Sequence, residues 1–118
     1  MERIKTEQKY GNLRKPEGDR NGEQMADIEK EIEEAQSMMM AGDFPGAVKK
    51  FTKIIKSNPT SAEAYFGKAE AAMGDSSTSV DEVIACYKKA VELDGKNPMY
   101  WSNYAVYLME QSQQDGLL

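Results

Sequence analysis

The sequence predicts an all-α protein, an α-solenoid of antiparallel helix pairs with about five helices behind a flexible N-terminal arm. Three observations lead there. From Met25 onward apolar residues recur at helical spacing, and no stretch alternates apolar and polar residues as a half-buried strand would. Cap residues and Gly or Pro breakers cut that region into short pieces. Two of its segments repeat one another 36 residues apart, a period characteristic of stacked helical units.

Residues 1–24 are polar, carry Gly11, Pro16, Gly18 and Gly22, and balance six basic against five acidic side chains. They read as a flexible arm, on which Ile4, Tyr10 and Leu13 offer a weak docking face at most. Residues 25–118 read as the repeat domain. Met25–Met40 is a Glu-rich helix with Ile28, Ala35 and Met38 on one side. After the Gly42-Asp43 turn, Asp43 caps a helix over Phe44–Ser57, with Pro45 in its first turn. Ala47, Phe51 and Ile54 give that helix one buried face, and Asn58-Pro59 ends it. Thr60 and Glu63 fit a capping box for a helix over residues 61–73. The polar loop Gly74–Thr78 follows, with Ser76-Ser77-Thr78-Ser79 read as a flexible connector. A second box, Ser79 with Glu82, opens a helix through Leu93 that Asp94-Gly95-Lys96 breaks. Asn97 as cap and Pro98 at the first helical position open the last helix, to about Gln113.

Composition narrows the function. Forty percent apolar and thirty percent charged residues are ordinary for a soluble domain. A net charge of −5 and a pI near 4.8 disfavour nucleic acid and anionic membranes as partners. No run approaches the roughly 20 apolar residues that span a bilayer, and the N-terminus lacks the apolar core of a secretory signal. The single Cys86 cannot form an internal disulfide, which suits a reducing cytoplasm, and it falls mid-helix as an inert thiol. The chain has no histidine, so imidazole bases and imidazole metal ligands are excluded; no phosphate loop or nucleophile–base pair stands in their place. The expectation is a protein without catalytic residues, cofactor or metal.

The repeat becomes specific when Ala47 is set on Val83, Phe51 on Tyr87, Ile54 on Ala90, Tyr65 on Trp101 and Ala69 on Ala105. Ala47…Phe51…Pro59, then Tyr65…Ala69 with Tyr87 and Ala90, then Trp101…Tyr104-Ala105…Leu108 resemble the tetratricopeptide repeat, a helix-turn-helix unit of about 34 residues. The resemblance covers about the last three quarters of the chain, with repeats at about 28–61 and 62–97 and a half repeat at 98–118. There are departures. Glu31 and Glu34 occupy positions usually aromatic or leucine, two extra residues lie in Gly74–Thr78, and Gly95 replaces the closing proline.

The resemblance implies that the first helix of each repeat lines a concave groove. Ile32, Gln36, Met39, Met40, Phe66, Glu70, Met73, Met99, Asn103, Val106 and Met109 are its candidate residues, with Glu29, Glu33 and Glu63 around them, while Met38 goes to the core. Methionine is unbranched and polarizable and adapts to varied apolar partners, and the carboxylates favour basic ones. The expected ligand is therefore an apolar or amphipathic, partly basic peptide. The competing reading is that these methionines merely fill gaps between helices. Chaperone co-factors of the same resemblance grip an acidic tail with a basic clamp. Here Ile32, Gln36, Gly67, Met99 and Asn103 occupy those places, so that function is rejected.

The lysines at 49, 50, 53, 56, 88 and 89 read as a solvated back face. The last helix is expected to present Trp101, Tyr104, Ala105 and Leu108 to the preceding repeat, leaving Tyr100 and Tyr107 uncovered. Covering that face requires the arm, a second copy or further chain. The reading favours a homodimer through Tyr100, Tyr104 and Tyr107, in which Tyr107→Glu separates the copies.

Overall fold

The computed structural model describes the backbone of residues 17–114 and the surroundings of side chains 27–113. Five helices make up the described residues, and no strand is present among them: α1 (Glu17–Met40), α2 (Phe44–Ser57), α3 (Ala62–Met73), α4 (Val80–Leu93) and α5 (Pro98–Gln114). None is long and apolar enough to cross a membrane. The chain divides into two units, residues 1–30 and 31–118. In the first, the described residues are helical from Glu17. The helix thus starts well ahead of Met25, where the sequence placed the end of a flexible arm. Extending a formed helix costs far less than nucleating one. Residues 1–16 lie outside the described part. Composition changes at Met25, but among the described residues the first buried side chain is that of Ile32, in the second unit.

Within the second unit α2 packs on α3, α3 on α4, and α4 on α5. The turns that permit this are built by capping chemistry. At the end of α1, the Gly42 N–H bonds to the Met39 carbonyl and the Asp43 N–H to the Met38 carbonyl, both at 2.9 Å. Gly42 takes φ of 88°, the left-handed conformation that such a closure needs. Asp43 then caps α2, its carboxylate accepting from the Gly46 N–H at 3.0 Å. Ser61, not Thr60, caps α3, accepting from the Ala64 N–H at 3.2 Å; the helix starts one residue later than the capping-box pattern suggested. Ser79 caps α4 as expected, but Glu82 pairs with Lys68 at 3.3 Å across to α3. Asn97 accepts from the Met99 N–H at the start of α5. The α3–α4 loop is ordered by Asp75, a buried carboxylate that accepts from the Ser77 N–H, the Ser77 hydroxyl and the Thr78 hydroxyl at 3.0, 2.7 and 3.1 Å. These bonds, led by the Ser77 hydroxyl, hold its carboxyl below the usual range.

Phe51, Ile54, Val83 and Tyr87 are the largest side chains buried outright. Each contributes roughly 1.5–3 kcal/mol by leaving water. In the α2–α3 contact the Phe51 ring lies against Gly67, so that a Cβ at that position would collide with the ring. Cys86 is buried, and burial pushes its thiol up, away from the reactive thiolate. Lys50 pairs with Glu34 of α1 at 3.1 Å, so one of the back-face lysines serves a helix contact.

Gly67→Ala should therefore destabilise the fold by roughly 1–3 kcal/mol, the usual cost of overpacking. Adding Phe51→Leu should recover part of that loss. Urea unfolding of the two single variants and the double variant measures the coupling directly.

Candidate functional site

Helices α1, α3 and α5 border a cleft lined by Gln36, Met39, Glu63, Phe66, Gly67, Glu70, Met99 and Tyr100. It encloses about 160 Å³. A second cleft of about 240 Å³, between α3, α4 and α5, is lined by Glu70, Met73, Tyr87, Asn103, Val106, Tyr107 and Glu110. Small-molecule pockets typically run about 300–1,000 Å³, so each of these suits one or two side chains of a larger ligand.

Their walls follow from helical spacing. Phe66, Glu70 and Met73 fall at i, i+4, i+7 on α3, and Met99, Asn103 and Val106 take the same spacing on α5. The floor is aromatic. Phe66 and Tyr100 stack with ring centres 4.5 Å apart. Tyr87 meets Phe66 edge-on at 5.9 Å, and Tyr104 and Tyr107 at 5.8 Å each. One polar junction crosses this apolar surface. The Tyr87 hydroxyl donates to Glu70 Oε2 at 2.8 Å and lies 3.0 Å from the Met73 sulfur; Asn103 Nδ2 donates to the same Glu70 oxygen at 3.1 Å.

Of the groove residues expected from the sequence, Gln36, Met39, Phe66, Glu70 and Met99 line the first cleft, and Glu70, Met73, Asn103 and Val106 the second. Ile32 does not belong to the groove. It is 3% exposed and shares a face with Ala35, three residues on, which is buried outright. Met40 is 89% exposed and Met109 is also exposed, but neither lines either of these two clefts. Met38, expected in the core, is only half-buried.

The largest correction concerns α5. Tyr100 and Tyr107, expected to lie uncovered, are 6% and 7% exposed and pack inward with the half-buried Tyr104. Of the residues expected to face the preceding repeat, Trp101, Ala105 and Leu108 are exposed instead. Trp101 is 49% exposed, its indole N–H donating to the Gly95 carbonyl at 2.8 Å. The repeat itself supplies the reason. Trp101, Ala105 and Leu108 stand 36 residues after Tyr65, Ala69 and Ala72, of which Ala69 and Ala72 belong to the core shared with α4. Among the described residues no helix follows α5 to play the part of α4. Tyr100 and Tyr107 stand 36 residues after Ala64 and Ala71, both buried outright. That equivalence was the available signal for their burial.

No protein-family model matches the chain, and a search of curated proteins finds no match.

Burial, followed by the bond to Glu70, drives the Tyr87 phenol well above the ordinary tyrosine value near 10; burial also raises Tyr100 and Tyr107. The native state therefore keeps protons that the unfolded chain releases, and stability falls as pH rises past that value. Urea midpoints should drop between about pH 9 and about pH 11. The drop should be shallower in Tyr87→Phe, which lacks the phenol with the largest shift.

Proposed function

We propose that the chain is a non-catalytic protein–protein interaction adaptor of the tetratricopeptide-repeat kind, whose groove binds an apolar or amphipathic, partly basic peptide. One observation carries this reading. The cleft between α1, α3 and α5 combines Met39, Phe66 and Met99 with the carboxylates of Glu63 and Glu70, and no basic side chain lines it. Its size fits side chains of a peptide better than a small substrate. Repeats in register 36 residues apart and paired helices support the family resemblance. Titrating methyl-labelled protein with an amphipathic peptide carrying Lys and Arg should move the methyl signals of Met39, Met73 and Met99. The signals of Met40 on α1, Ile55 on α2 and Ile84 on α4 should stay in place. Met99→Glu should weaken binding about tenfold, equivalent to ~1.4 kcal/mol. Shifts confined to α2 and α4 would overturn the reading.

A second reading, a structural module that self-associates, is favoured by the exposed stripe Trp101, Ala105 and Leu108 on α5. A second copy would cover this stripe through a two-fold contact. Light scattering should then show a concentration-dependent dimer, and Trp101→Glu should give a folded monomer. Tyr107→Glu would bury a charge beside Tyr87 and should lose helical structure instead. A monomer at every concentration removes this reading.

A further inference from the structure

We propose that Glu70 is a pre-set anchor for an arginine side chain of the bound peptide, with Glu63 as its second carboxylate; this rests on the groove reading above. Glu70 differs from an ordinary surface glutamate. Its Oε2 accepts from Tyr87 on α4 and from Asn103 on α5, so its side chain is oriented by two neighbouring helices. The entropy cost of fixing a long side chain at an ion pair is thus largely met before the ligand arrives. Oε1 accepts no hydrogen bond among the described residues, and the carboxylate borders both clefts.

The surrounding charge points the same way. No lysine or arginine lines either cleft, and Glu110 adds a further carboxylate to the second. Lys50 on α2 and Lys68 on α3 itself are paired with Glu34 and Glu82. A purely apolar ligand would strip water from Glu63 and Glu70 and return nothing to them. An ammonium gathers its three donors at one point and has no flat face to lay on an aromatic ring. A guanidinium presents five donors in a plane, so it can pair with Glu70 Oε1 and still offer donors to the other acceptors that line the cleft, Glu63 and Gln36. Its flat face matches the aromatic wall of Phe66 and Tyr100, and its three methylenes match Met39 and Met99.

The test compares two synthetic peptides on the full chain, acetyl-Leu-Leu-Arg-Leu-Leu-amide and the same peptide with citrulline, which keeps the shape of arginine and lacks its charge. The arginine peptide should bind at least about fivefold tighter at about 50 mM salt, with the gap narrowing at about 300 mM. The gap should close in Glu70→Gln, whose amide oxygen still accepts from Tyr87 and Asn103, and shrink in the exposed Glu63→Gln. Equal binding of the two peptides, with Met39 and Met99 signals moving, overturns the anchor and leaves the groove reading intact. A preference for arginine that survives both substitutions also overturns it. If neither peptide moves Met39 or Met99, the groove reading fails and the anchor with it.

Discussion

The second unit depends on what surrounds one side chain, Tyr87 of α4. Its ring is buried among Phe66 of α3 and Tyr104 and Tyr107 of α5, while its hydroxyl reaches Glu70 of α3. Three helices are thereby fixed through one residue by two kinds of force. Ring packing is broad and tolerates small shifts; the bond to a carboxylate is directional and does not. A phenylalanine would supply the first alone. The tyrosine also gives the buried side of Glu70 a donor, which a half-buried carboxylate needs.

That arrangement makes core and groove share residues. Phe66 packs against both Tyr87 and Tyr100 and also walls the first cleft; Tyr87 and Tyr107 are core and also line the second. The surface a ligand would meet is thus the outer side of the packing that holds α3, α4 and α5 together. Loops contribute nothing to either lining: every lining residue lies on a helix. Such positions are held by the same contacts that hold the fold, so the geometry costs little to maintain on binding.

Much of this was legible in the sequence. Helix number and approximate bounds followed from caps and breakers, because Asp43, Ser79 and Asn97 act locally and need no tertiary context. Burial of Phe51 and Tyr87 followed from the repeat, because equivalent positions in stacked units meet equivalent neighbours. Legibility failed where a residue's equivalent faces something different. Trp101 and Ala105 stand 36 residues after Tyr65 and Ala69, yet they are exposed where the sequence pattern places them against the preceding repeat. Residues facing α4 in one repeat face outward in the next, where no such helix is present among the described residues. Glu70 was placed in the groove, but its bonds to Tyr87 and Asn103 were not foreseen. They join residues 17 and 33 positions apart, and no local pattern encodes them.

The run Met38-Met39-Met40 shows how far helical geometry alone can decide. Successive side chains turn by about 100°, so three neighbours cannot share one environment. Met38 is half-buried, Met39 lines the cleft and Met40 stands in solvent. The buried stripe of this part of α1 passes instead through Ile32 and Ala35, three residues apart and one turn earlier, with Met39 at its edge. A methionine at the edge of a stripe is half committed to packing. Its unbranched chain can follow a ligand without disturbing Ala35 beneath it. Met99 stands opposite on α5, more exposed and lining the same cleft. Two adaptable side chains thus flank a floor fixed by stacked rings, so contact with a partner can adjust at the rim while the charged and aromatic centre stays in place.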